Sequence, residues 1–189
     1  MKTDLTELAR LAAQVENQQY SQGLPPVEKW NPAFSGDLDM RIARDGSWYY
    51  LGTPILRPAM VRLFSTILKR EGDEYFLVTP VEKFRIRVED APFVAVSVTQ
   101  REQDGVALLE FETSVGDKVV ADADHPIRVH TDAQSGEPAP YVRVRGNLDA
   151  LINRAVFYQL VEMAEEETVD AVRQLCVHSV GQRFVRGEL

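Results

Sequence analysis

Arg41, Trp48 and Tyr50 are the residues whose types and spacing most readily do chemistry. Leu38, Met40 and Ile42 alternate with Asp37, Asp39 and Arg41, and Asp45-Gly46 is a two-residue hairpin signal, after which residues 48–51 return. With Asp45-Gly46 as the turn, Ala43 faces Trp48, Ile42 faces Tyr49 and Arg41 faces Tyr50. One face then carries Met40, Ile42, Tyr49 and Leu51, and the other carries Asp39, Arg41, Trp48 and Tyr50. A guanidinium beside two flat rings is what holding a phosphate and stacking a base require. The simpler alternative is that an N-terminal helix or connector covers this face. Trp48 and Tyr50 would then be core and Arg41 would pair with Asp39, since packing is the commoner use of buried aromatics.

Two further groups are candidates. Asp37-x-Asp39 places two carboxylates on one strand face, a minimal divalent-metal pair if phosphate supplies the remaining ligands. The spacing is common, and a wet sheet edge accounts for it equally well. In the second half, Arg128 and His130 share one strand face, and Tyr141, Arg143 and Arg145 another, a basic strip in an otherwise acidic region. It could meet a ligand's anion, or pair with Glu162 and Glu165 to Glu167 as surface charges commonly do. Nucleophilic catalysis finds little support. There is no G-x-S-x-G elbow, and His125, His130 and His178 stand in different contexts. Cys176 and His178 share one side of a strand, but nothing nearby orients the imidazole. Glycines occur singly at turns, with no phosphate loop or dinucleotide fingerprint.

The elements that must position these residues follow from pattern. Asp4 and Glu7 open a helix whose apolar positions are Leu5, Leu8, Ala12 and Val15, ending near Tyr20. An irregular connector reaches Gly36, pinned by Trp30 and Phe34. After the Asp45-Gly46 hairpin, Pro58 starts a helix with the stripe Met60, Leu63, Phe64, Ile67 and Leu68, stopped at Glu71-Gly72-Asp73. Strands over residues 75–79 and 84–89 follow. Asp90-Ala91-Pro92 is a boundary, because strands then start again, with a second Asp-Gly turn at Asp104-Gly105. Asn147 is expected to cap a long helix over residues 148–166, with a short helical stretch at 168–174 and a last strand from Leu175. Each half therefore holds a β-meander and a core-facing helix, which reads as a duplication.

Bulk properties narrow the classes. The 189-residue chain is 44% apolar, enough for a real core, with a net charge of −8. Bulk duplex DNA binding is not expected of an acidic chain. Residues 36–92 carry nine Lys/Arg and nine Asp/Glu, so the surplus acid lies elsewhere and an anionic ligand fits the first half better. Cys176 is the single cysteine, which excludes an intrachain disulfide and a multi-thiolate zinc site. A polar amphipathic start and the lack of a long apolar run predict no membrane span and a cytoplasmic protein.

The run Gly36 to Tyr50 resembles the opening signature of a bacterial domain-of-unknown-function family, number 1285. The likeness continues through Gly52-Thr53-Pro54-Ile55, Leu63-Phe64-Ser65, Tyr75 to Lys83, Val88 to Phe93 and Asn147 to Tyr158, covering residues 30–187. The family tends to have an aromatic and paired glycines where this chain has His178-Ser179-Val180-Gly181. The resemblance implies a duplicated α+β fold whose second domain looks superficially like a pleckstrin-homology fold. It also implies a ligand site between the domains, for a nucleotide-like or nucleic-acid-like molecule, and a signalling role. Asp39, Arg41, Arg44, Trp48, Glu82, Lys83, Glu89 and Asp90 are the signature residues to inspect there.

The expected organisation is an N-terminal helix and connector over 1–33, a first α+β domain over 34–91, and a second domain over 92–189 with a long C-terminal helix. The leading functional expectation is a ligand-binding or signalling module rather than an enzyme. Arg41, Lys83 and Arg143 would supply positive charge, and Trp48 or Tyr50 a stacking surface. Two alternatives are a metal-assisted phosphohydrolase using Asp37 and Asp39, and a homodimeric interaction module motivated by the broad apolar surface of the 148–166 helix. No catalytic residue, resident metal or cofactor is assigned.

Overall fold

The computed structural model describes residues 23–131, 136–169 and 172–188, together with Arg10 and Ala13. The helix expected over residues 4–20 lies outside them, apart from those two positions. The chain divides into two units, Met1–Asp90 and Ala91–Leu189. Both are mostly strand with few helices, and their sheets share one topology.

In the first unit a 3-10 turn, Val27–Lys29, precedes β1 (Phe34–Ile42), β2 (Trp48–Tyr50) and β3 (Thr53–Pro54). Helix α1 (Pro58–Thr66) follows, then β4 (Leu68–Glu71), β5 (Glu74–Val78) and β6 (Lys83–Val88). The sheet order is β3-β2-β1-β6-β5-β4, two meanders joined where β1 and β6 run parallel. Met40, Ile42, Trp48, Phe64, Leu68 and Leu77 fill the core. Pro58 stands in the first turn of α1, where its missing N–H costs nothing. The helix is shorter than its stripe suggested. Leu68 is in helical phase with Phe64, but it pairs with Leu77 across β4 and β5, and Lys69, Arg70 and Glu71 are strand rather than helix. A residue that satisfies both periods is decided by its partner.

The second unit repeats the plan. β7 (Phe93–Gln103), β8 (Val106–Thr113) and β9 (Lys118–Val120) form one meander. β10 (Ile127–Thr131), β11 (Pro138–Arg145) and β12 (Leu148–Ile152) form the other. Their order is β10-β11-β12-β7-β8-β9, with β12 parallel to β7. Helix α2 (Arg154–Glu162) follows the sixth strand, whereas α1 sits between the two meanders. A three-stranded sheet, β13 (Glu165–Val169), β14 (Val172–Ser179) and β15 (Gln182–Glu188), completes the unit. It is tied to β8 by the Ser179 hydroxyl, which accepts from the Leu109 N–H at 2.9 Å, and by the Val180 N–H to the Ala107 carbonyl at 2.8 Å.

The long helix over 148–166 does not form. Leu148, Ala150 and Ile152 are buried alternately with Asp149 and Leu151, a strand pattern satisfied by pairing with β7. The helix start is moved from Asn147 to Asn153, whose Oδ1 accepts from the Val156 N–H at 2.8 Å. Residues 168–174, expected helical, belong to the β13–β14 hairpin. Only Val156 and Leu160 of α2 are buried, while Tyr158 and Val161 are exposed, so the apolar helix surface that suggested a homodimer belongs to a nine-residue helix and not to one spanning 148–166. No helix among the described residues is long and apolar enough to cross a membrane.

Candidate functional site

The hairpin at Asp45-Gly46 has a different loop from the one expected, and this rearranges the leading site. The Ala43 N–H donates to the Ser47 carbonyl at 2.9 Å, and the Gly46 N–H to the Ala43 carbonyl. Gly46 has φ +85°, the left-handed residue closing a three-residue loop. Asp45 Oδ1 accepts from the Ser47 N–H and fixes the turn. One extra loop residue shifts the register by one, so Ile42 faces Trp48, Arg41 faces Tyr49 and Met40 faces Tyr50. A shift of one exchanges the faces. Trp48 therefore lies in the core, 2% exposed and stacked on Phe64 with centroids 6.4 Å apart. Tyr49, not Trp48 or Tyr50, carries the Arg41 guanidinium, 4.1 Å from its ring centre. Tyr50 instead lines a separate apolar hollow with Leu51, Ile55 and Met60.

Arg41 pairs with Glu89, not with Asp39. Glu89 also accepts from the Arg44 backbone N–H at 3.1 Å, and the Arg44 guanidinium reaches Asp90 at 3.2 Å. Four of the signature residues, Arg41, Arg44, Glu89 and Asp90, thus form one cluster that fastens the hairpin loop to the end of β6. The Arg44 N–H and then Arg41 hold the Glu89 carboxyl below its ordinary range.

Glu82 and Lys83 lie at the other end of β6, away from that cluster in sequence and register. Lys83 Nζ is 3.0 Å from Glu71, whose other oxygen is 3.3 Å from Lys69. Lys69 is almost fully buried and donates to the Trp30 carbonyl at 3.0 Å, which ties the connector to β4. The Lys83 hydrogen bond in particular keeps the Glu71 carboxyl low. Lys69 and Glu71 were missed because they were assigned to a helix tail. Glu82 has one buried carboxylate oxygen with no hydrogen-bond partner among the described residues.

Between these two ends the sheet opens. Asp37 pairs with Arg85 and Arg41 with Arg87, so β1 spends four residues where β6 spends two. That bulge accompanies a cavity of about 400 Å³, lined among others by Asp37, Asp39, Glu74, Tyr75, Arg85 and Arg87. Arg85 lies 2.6 Å from Asp37 and 2.5 Å from Glu74. It holds the Asp37 carboxyl low, and its own guanidinium is raised above its usual value. Asp37 is thereby engaged by an arginine. Asp39 and Arg87, both exposed, make no side-chain hydrogen bond or ion pair among the described residues.

In the second unit the basic strip is neutralised within its own sheet rather than by the acidic run at 162–167. Arg143 and Arg128 share Asp149, and Arg143 also donates to the Gly146 carbonyl at 2.9 Å. Arg145 reaches Asp117 at 2.7 Å over the Phe93 ring. His178, which nothing in the sequence orients, lies against Glu167.

These features define a strand-rich α+β protein of two similarly wound units with a polar cavity at the β1 bulge. The N-terminal domain of the DUF1285 family, a domain of unknown function, matches residues 25–91, and its C-terminal domain matches residues 92–185. The chain belongs to the DUF1285 family. It is similar to the crystal structure of a DUF1285 family protein from Silicibacter pomeroyi DSS-3, at 51% identity and a TM-score of 0.85, over 98% of this chain and 95% of that one. It is also similar to one from Shewanella baltica OS155, at 33% identity and a TM-score of 0.53, over 66% of this chain and 91% of that one. No curated protein matches.

Proposed function

We propose that the chain is a ligand-binding or signalling module rather than an enzyme, and that the cavity at the β1 bulge takes a small anionic, nucleotide-like ligand. The observation that carries this reading is a carboxylate and a guanidinium on the cavity wall, Asp39 and Arg87, that form no side-chain hydrogen bond or ion pair among the described residues. Nearby Arg85 is saturated by Asp37 and Glu74, whereas Arg87 has only a charge interaction with Glu89. An exposed guanidinium suits a phosphate. A carboxylate beside it accepts from sugar hydroxyls or an exocyclic amino group. A volume of about 400 Å³ lies in the range of small-molecule sites.

A cytoplasmic place of work belongs to the same reading. So does a likeness of the second unit to a pleckstrin-homology fold, supported by a helix that follows its sixth strand. Thermal denaturation against a panel of mono-, di- and cyclic nucleotides tests the proposal. A stabilising nucleotide should lose its effect in Arg87→Ala. Asp39→Asn should weaken ligands with free sugar hydroxyls more than their deoxy analogues. A wild-type protein that no nucleotide stabilises, or an Arg87→Ala variant that responds like wild type, would overturn it.

A further inference from the structure

We propose that the three-stranded sheet of the second unit carries a site for a divalent transition-metal ion, zinc by preference, held by Glu165 and Glu167 of β13 and His178 of β14. Strand alternation puts residues 165 and 167 on one face. The antiparallel register sets Glu165 opposite Cys176, and His178, two residues on, looks to the same side. Each of the three offers one donor atom, and these atoms all lie within 4.8 Å of one another.

The donor set decides the ion. Two carboxylates alone would suit magnesium or calcium, whereas an imidazole nitrogen shifts the preference toward zinc and its neighbours. Zinc bonds of about 2.0–2.2 Å set tetrahedral ligands roughly 3.3 Å apart. His178 Nε2 and Glu167 Oε1, now 2.5 Å apart, need only open by about 1 Å to admit the ion at that spacing. Both side chains reach solvent, so they can. Arg183 lies 3.6 Å from the other Glu167 oxygen, which leaves Oε1 for the ion and orients the carboxylate from behind. The fully buried Cys176, opposite Glu165 and interacting with Glu167, faces the same side. Water would complete the coordination from the open side.

The competing account is a simple Glu167–His178 ion pair, and metal titration separates the two. The full chain, freed of metal with a chelator, is titrated with zinc chloride by calorimetry at neutral pH, and again with magnesium chloride. One zinc per chain is expected, with no comparable magnesium binding. Glu165→Gln and His178→Asn should each weaken zinc at least tenfold. Glu165 is exposed and has no ion pair among the described residues, so its variant keeps the test decisive even if His178→Asn folds poorly. Failure of the wild-type protein to bind zinc would overturn the proposal, as would magnesium binding equally well. Unchanged zinc affinity in Glu165→Gln would do the same.

Discussion

Phe64→Ala tests the arrangement on which the reading of the first unit rests. Phe64 is fully buried, and its ring lies within 23° of parallel to Trp48 at 6.4 Å. Truncating a buried phenylalanine removes its transfer free energy and leaves a cavity, together costing about 3–5 kcal/mol. A small domain holds roughly 5–15 kcal/mol in all, so the loss should be plain in the unfolding midpoint. Both tryptophans, Trp30 and Trp48, belong to the first unit, so urea unfolding followed by tryptophan fluorescence reports that unit alone. Tyr49→Ala is the control. In the observed register Tyr49 is half-exposed beneath Arg41, and its loss should cost little beyond a cation–π contact of about 0.5–1 kcal/mol. A two-residue turn would instead put Tyr49 on the core face with Met40 and Ile42 and bring its cost up toward that of Phe64→Ala. A Tyr49→Ala cost equal to or above that of Phe64→Ala would refute the reasoning, as would a Phe64→Ala cost below about 1 kcal/mol.

Two further outcomes follow from the same unit. Gly46→Ala places a side chain at φ +85° and should lower stability by about 1 kcal/mol in the same urea assay; a neutral result would argue against the three-residue loop. Glu89, Glu71 and Asp37 all have carboxyl pKa values lowered by folding. The unfolded chain therefore binds more protons in acid. The stability they lend is present above the unfolded values of about 3.9–4.3 and is lost as pH falls through the lower folded ones. The midpoint should fall on acidification below about pH 4.3, less steeply in Glu89→Gln; an identical profile in that variant would show that Glu89 contributes nothing.

Part of the candidate site stood out before the fold was known, Arg41 by its residue type and Arg44, Glu89 and Asp90 through the family resemblance, and the four do meet. Their role is legible only in three dimensions, because the contact joins residues more than forty positions apart. Lys69 and Glu71 were hidden by a helical stripe that ran on into a strand. Leu148 and Ile152 were hidden in the reverse sense, since spacings of three and four residues satisfy a helix while alternation satisfies a strand.

The two Asp-Gly pairs show where local information stops. Asp104-Gly105 forms the two-residue turn with φ of +53° and +77°, and Gln103 faces Val106. The same dipeptide at Asp45-Gly46 closes a three-residue loop. The sequence by itself determined that each half is built from short, alternating strands broken by turns, but it did not exclude a long helix over 148–166, where the structure has a strand and a nine-residue helix. It also determined that no multi-cysteine chemistry exists and that charge gathers near β1 and β6. The tertiary structure alone decided the register of the first hairpin, the parallel joining of β1 to β6 and β12 to β7, and the bulge that opens the cavity. The physical reason is that a turn dipeptide permits more than one loop length at similar cost. The choice falls to whichever register buries Trp48 against Phe64, and that contact is made by a helix the hairpin cannot sense locally.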